Sequence, residues 1–222
     1  MPRFLIIAAA SYLLGSIPFG YLLVRLFRGE DVRRTGSGNI GATNVSRKSP
    51  ALGVLTLLLD ALKGAAAVSV GVIVSRPLSE QISLSPIPWH GMAHSSPDFA
   101  IWAALAAFFA VVGHMLPIWL NFSGGKGVAT SLGAFVMIAP KSVLASAVIF
   151  LVLVLIFRYV SLGSIAAVAA FPNAALLLHE YGGAPLALVL MALTSALIVL
   201  KHSANIVRLL AGTEHRIGSR RA

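Results

Sequence analysis

The chain has no cysteine among its 222 residues. Disulfides, cysteine metal sites and a thiol nucleophile are excluded, and nothing follows about compartment. Charge is also scarce: Asp, Glu, Lys and Arg make up 11%, where a soluble domain carries about a quarter. Acids are the rarer sign, 7 against 17 basic residues, so the formal charge is +10. Apolar residues fill the chain instead, at 58%, with a mean hydropathy of +0.89. This balance assigns an all-α integral membrane protein. In a soluble domain the basic excess would point to nucleic acid. Here cytoplasmic loops account for it, because they concentrate Lys and Arg. The expected partner is the lipid bilayer, not nucleic acid.

Apolar segments run roughly over 4–24, 51–75, 99–120, 128–140, 142–157, 161–178 and 185–200. The first continues past Ala8-Ala9-Ala10 to Phe27, too long for a signal-peptide core and long enough to span. Charge placement settles the ambiguous stretch 128–157. Arg25, Arg28, Arg33, Arg34, Arg47 and Lys48 fall between the first two spans, and Lys201, Arg208, Arg216, Arg220 and Arg221 fall in the tail. Both regions should be cytoplasmic. Lys126 follows three spans and is also inside, so an even number of crossings must separate it from Lys201. Splitting 128–157 at Pro140 supplies four. The expectation is seven spans, the N-terminus outside, the C-terminus cytoplasmic, and one domain over 1–222. The external loop 76–98 is Ser- and Pro-rich and reads as an insertion. Its His90 and His94 are four apart, but a Pro-rich loop is a poor frame for a helical metal pair, and no metal is expected.

Three polar, glycine-rich segments fall on the cytoplasmic side: "RRTGSGNIGATNVSR" from Arg33, "GHMLPIWLNFSGGKGVAT" from Gly113 and "KHSANIVRLLAGTE" from Lys201. Each flanks an apolar span. Together they offer Arg, Lys, His, Asn, Ser and Thr, with Glu214 the one acid in the three. That is the make-up of a phosphate site at a membrane surface. Gly36, Gly38 and Gly41 match G-x-G-x-x-G, the dinucleotide fingerprint. That motif needs a strand before the glycines and a helix after them, and here a membrane helix precedes. Gly124-Gly125-Lys126 suggests a phosphate-binding P-loop, but Leu120 and Gly127 stand where Gly and Ser or Thr are required. What remains is glycine's capacity to let backbone N–H groups close on phosphate oxygens.

These three segments, in this order, resemble the motifs of the bacterial acylphosphate:glycerol-3-phosphate acyltransferases, the PlsY family. The similarity spans most of the chain. Leu116, Ser123, Ser203 and Ala204 depart from the usual family residues at the periphery. The resemblance implies transfer of a fatty acyl group from acyl phosphate to the 1-hydroxyl of sn-glycerol 3-phosphate, giving lysophosphatidic acid and phosphate. It implies a bacterial inner-membrane location, a cytoplasmic active site, no cofactor, and as partner the soluble enzyme that makes acyl phosphate. A transporter or binding protein for an organic phosphate is the rival reading. It predicts inverted repeats, and none is evident.

Two phosphate-bearing substrates need dense positive charge, which Arg47, Lys126 and His202 supply. By resemblance, Ser37, Gly38, Asn39, Thr43 and Asn44 line a phosphate pocket with Gly125, and Asn205 orients substrate. His202, Asn205 and Arg208 are three apart and would share one helical face. Arg208 alternatively meets lipid headgroups. Ser37, Arg47, Lys126, His202 and Asn205 are the catalytic candidates. The base is His202 or a substrate phosphate oxygen. Asp60 and Lys63 lie three apart deep in the second span, where lone charges are costly, and are expected to pair. His114 is expected in the inner half of the third span, packing or supporting the site.

Overall fold

A computed structural model describes residues 2–75 and 97–218. The described residues are helices and connecting turns. In chain order they are α1 (Pro2–Ser16), α2 (Phe19–Arg28), a 3-10 turn (Val32–Arg34), α3 (Ala42–Val45), α4 (Pro50–Ser75), α5 (Pro97–Met115), a second 3-10 turn (Ile118–Leu120), α6 (Val128–Val136), α7 (Pro140–Phe157), α8 (Val160–Leu177), α9 (Pro185–Leu200) and α10 (Ser203–Leu210). Most of the external loop, with His90 and His94, lies outside the described residues.

Five described stretches are long and apolar enough to cross a membrane: Pro2–Arg28, Pro50–Ser75, Pro97–Leu120, Pro140–Phe157 and Val160–Leu177. Helices α9 and α10 make a sixth if their 54° bend is counted within one span. The stretch 128–157 breaks before Pro140, which takes the first helical position of α7. Proline is tolerated there because that N–H has no intrahelical partner. At 9 residues, α6 is about 13.5 Å long, too short to cross alone. One break was not expected. The first apolar segment divides at Ile17–Pro18, where Pro18 cannot continue the ladder of α1. Lys63 Nζ donates at 2.6 Å to the Ile17 carbonyl, which also accepts from Phe19 N at 3.1 Å.

Close helix approach rests on small residues. A side chain at Gly15 would fall on the Ala110 carbonyl, and one at Gly113 on the Tyr12 carbonyl, so α1 and α5 touch backbone to backbone. Gly64 and Gly133 do the same for α4 and α6, against Thr130 and Ala61. Inside a bilayer such contacts replace the hydrophobic drive that lipid cannot supply. The core between α4, α5, α6, α8 and α9 holds Val68, Ala107, Phe135, Ile138, Phe171 and Met191. Within the bundle, Asp60 and Lys63 pair at 2.8 Å, 2% and 3% exposed. His114 Nδ1 stands 3.6 Å from Asp60 Oδ1. At the N-terminal end of α7, Glu180 caps the helix. Its carboxylate accepts from Ser142 N and Oγ, each at 2.7 Å, and from Lys141 N at 3.2 Å.

Candidate active site

The first motif folds into a loop organised by Asn44. Asn44 is 3% exposed. Its Oδ1 accepts from Ser37 N at 2.9 Å, and its Nδ2 reaches the carbonyls of Asn39, Thr35 and Val32 at 2.8, 3.0 and 3.1 Å. Both ends of the Asn44 amide thus hold the loop, at the edge of the cleft it helps to line. Gly36 is required beside it. Its φ is +62°, and a Cβ there would sit on Asn44 Oδ1. Gly38 N–H closes a turn on Thr35 O at 3.1 Å, and Asn39 Oδ1 accepts from Gly41 N at 2.8 Å. Ser37, Thr43 and Arg47 remain exposed around this frame. A cleft of about 400 Å³ opens here, lined by Thr35, Gly36, Asn44, Arg47 and Lys48. Thr35 and Lys48 were not singled out in the sequence, although Lys48 directly follows Arg47.

The glycines of the second motif act differently from the sequence expectation. Gly125 N–H donates to His114 O at 3.0 Å and Gly124 N–H to Met115 O at 3.2 Å. They satisfy the orphan carbonyls that end α5. A side chain on Gly125 would collide with His114 Nε2, and one on Gly124 with the His114 carbonyl. These glycines permit the approach of a loop to a helix end, and the Gly125 amide is committed to α5. Asp60, His114 and Gly125 thus stack behind Lys126.

Lys126 joins the second motif to the third. Its Nζ donates to Asn205 Oδ1 at 2.5 Å. Asn205 Nδ2 donates to Glu214 Oε1 at 2.7 Å, which also accepts Ser161 Oγ at 2.8 Å. Glu214 Oε2 accepts Arg208 Nε at 2.7 Å. Burial would raise the Glu214 carboxyl, but the donors Asn205, Arg208 and Ser161 outweigh it and hold the pKa below its ordinary value. Glu214 therefore fixes which end of the Asn205 amide meets Lys126. Burial lowers Lys126 to about 8; the Glu214 carboxylate opposes this, and the nearby Arg208 and Arg47 add to it. That coupling brings charges of all three motifs into one field. His202 sits at the N-cap of α10, outside the helical turns shared by Asn205 and Arg208. Its Nδ1 donates to the Ile198 carbonyl at 2.8 Å, leaving Nε2 as the lone-pair nitrogen. Burial pushes His202 down to about 4, against the Ile198 hydrogen bond, with Lys126 adding to the fall. Ser161 is 53 residues from Glu214, and no local signal announces it.

Beside Lys126 and His202 lies an apolar pocket of about 240 Å³ between α4, α6, α7, α8 and α9. Val128 and Ile198 line its end nearest the charged cluster. Ser146, Ser164 and Ser195 contribute small walls, and Ser146 Oγ has no hydrogen-bond partner. The described residues thus pair a cationic cleft with an apolar slot, which suits an amphiphile with an anionic head.

The glycerol-3-phosphate acyltransferase family model matches residues 5–212. A relative of that description from Mesorhizobium japonicum is 46% identical over 211 residues, covering 95% of this chain and 94% of the relative. Another, from Syntrophotalea carbinolica, is 42% identical and covers 97% of this chain and 98% of the relative. Among solved structures, the chain is similar to PlsY, an integral membrane glycerol 3-phosphate acyltransferase, in its glycerol 3-phosphate form. The TM-score is 0.79 at 36% identity, covering 97% of this chain and 96% of that one. The lysophosphatidic acid form gives 0.76 at 35% identity.

Proposed function

The chain belongs to the glycerol-3-phosphate acyltransferase family and is an integral membrane acyltransferase that makes lysophosphatidic acid from glycerol 3-phosphate; on that premise we propose how its site works. The donor is an acyl phosphate. The 1-hydroxyl of glycerol 3-phosphate attacks the acyl carbon, the carbon–oxygen bond to phosphate breaks, and inorganic phosphate leaves. A mixed anhydride is already activated, so the reaction balances with no nucleotide. The observation that carries this reading is the joining of the motifs: Lys126 on Asn205, with Arg47 and Arg208 in its electrostatic field.

Arg47 and Lys126 hold the two phosphates, one as a fork and one as a point charge. Ser37 and Thr43 contribute from the exposed rim of the first loop, and the half-buried Asn39 from beside them. Asn205 keeps Lys126 aimed, and Glu214 keeps Asn205 aimed. Arg208 adds charge while paired to Glu214 at 2.7 Å. The hydroxyl proton passes to a substrate phosphate oxygen. A phosphate monoester with a second pKa of about 6 is the stronger base, because His202 is held near 4. His202 then orients substrate through Nε2. The apolar pocket receives the acyl chain. The protein crosses a bacterial inner membrane seven times, α6 being a short crossing completed by local thinning of the bilayer, with its N-terminus outside and its site in the cytoplasm; the basic residues at 25–48 and from 201 onward support this topology. The soluble enzyme that makes acyl phosphate is the matching partner.

The test uses purified protein in detergent with glycerol 3-phosphate and either palmitoyl phosphate or palmitoyl-CoA. Lysophosphatidic acid from palmitoyl phosphate alone supports the reading. Product from palmitoyl-CoA alone overturns the donor assignment.

A further inference from the structure

The apolar pocket ends on two stacked rings. Phe135 on α6 and Phe171 on α8 lie 4.6 Å apart at 31°. They are 3% and 5% exposed, and both line the pocket. With Val143 of α7 they form its deep end, and behind them Ile138, Ala139 and Met191 close the core. The opposite end is marked by Val128 and Ile198, the first next to the Lys126 loop and the second bonded to His202. Lys126 lies two residues before α6, and the seven helical steps from Val128 to Phe135 rise about 10.5 Å. One leaflet of hydrocarbon is about 15 Å, half of the roughly 30 Å core. With the two residues that lead from Lys126 into α6, the slot is comparable in length to one leaflet. Its sides are kept open by Ser146, Ser164 and Ser195, where larger residues would fill it, and its rim is formed by Leu57 and Leu132, 43% and 42% exposed.

We propose that the Phe135–Phe171 stack is the floor of the acyl-chain pocket and sets the longest chain this enzyme uses efficiently. This rests on the acyl phosphate reading above. A chain that enters with its carbonyl at Lys126 runs down α6 until its terminal methyl meets the rings. Further methylene groups find packed core and must fold back across the Leu57–Leu132 rim, losing burial. Each buried methylene is worth about fourfold in binding, so a floor that excludes two of them discriminates by about fifteenfold. Phe135 and Phe171 are specificity residues and touch neither phosphate.

The experiment measures kcat/KM for myristoyl, palmitoyl, stearoyl and arachidoyl phosphate, with glycerol 3-phosphate saturating, on each protein. The readout is the ratio of arachidoyl to myristoyl phosphate within one preparation, which does not depend on the folded fraction. Phe171→Ala opens the floor and should raise that ratio about fifteenfold over wild type. Phe171→Leu is the variant to use if Phe171→Ala fails to fold, and it should raise the ratio in the same direction by a smaller factor. Ser146→Leu narrows the slot above the floor and should lower the ratio. Ratios equal to wild type in the active floor and wall variants overturn the floor while leaving the acyltransferase reading intact. No lysophosphatidic acid from wild type with any of the four donors overturns that reading, and the floor with it.

Discussion

The bond chain Lys126–Asn205–Glu214 makes two separable demands, and one double substitution pulls them apart. Asn205 accepts from Lys126 through Oδ1 and donates to Glu214 through Nδ2, while only 5% exposed. Asn205→Asp keeps the acceptor and deletes the donor. It removes a hydrogen bond to a charged group, worth about 1.5–3 kcal/mol, and sets a second carboxylate against Glu214. We expect a loss of about 3 kcal/mol in stability, the upper end of that range. Adding Glu214→Gln restores the pattern. The glutamine amide donates to the carboxylate introduced at position 205, and its oxygen accepts from Arg208. Thermal unfolding in detergent should then recover most of that loss, since the amide–carboxylate bond is again a hydrogen bond to a charged group, worth about 1.5–3 kcal/mol. Activity should not recover. The introduced carboxylate stays paired with Lys126 and competes with substrate phosphate, so kcat/KM for glycerol 3-phosphate should remain at least about 100-fold down, or about 2.7 kcal/mol. A double variant that regains activity together with stability would refute the claim that Lys126 must keep its charge available to phosphate.

Arg47→Ala and Lys126→Ala should abolish turnover, whereas His202→Ala should lower it partially; an equally dead His202→Ala that still binds glycerol 3-phosphate would contradict the substrate-base route. Lys126 sits near 8 in the protein without substrate. Its charge, present below that value, is lost as pH rises through it, so calorimetric binding of glycerol 3-phosphate to donor-free protein should weaken above about pH 8, approaching tenfold per unit. Lys126→Arg should flatten that decline, because guanidinium stays charged. Lys63→Leu alone strands Asp60 at 2% exposure and should cost about 3–5 kcal/mol, whereas Asp60→Leu with Lys63→Leu should be milder; equal thermal shifts would count against the pairing.

The membrane class was legible because 58% apolar composition and sparse charge leave few alternatives. The break before Pro140 followed from where the basic residues sit. The pairing of Asp60 with Lys63 followed from their spacing and the expense of charge in lipid. The break at Pro18 was hidden because the segment is apolar on both sides of it. Glycine-rich spacing announced the second motif but not the direction of its amides, and Gly124 and Gly125 turn out to finish α5. Asn44 looks like a ligand in sequence because it stands among candidate ligands; only the folded loop shows both ends of its amide engaged inward. Glu214 was legible as a lone acid in a basic motif. Its role as hub was not, since Ser161 reaches it across 53 residues.

The most direct measurement of the central claim is phosphate release from palmitoyl phosphate by wild type and Lys126→Ala, compared at equal folded content, with and without glycerol 3-phosphate. Wild type should release phosphate only when glycerol 3-phosphate is present, one for each lysophosphatidic acid formed, and Lys126→Ala should release almost none. Lys126→Ala retaining more than about a tenth of the wild-type rate, a loss below about 1.4 kcal/mol, would contradict the account, as would wild-type phosphate release without lysophosphatidic acid.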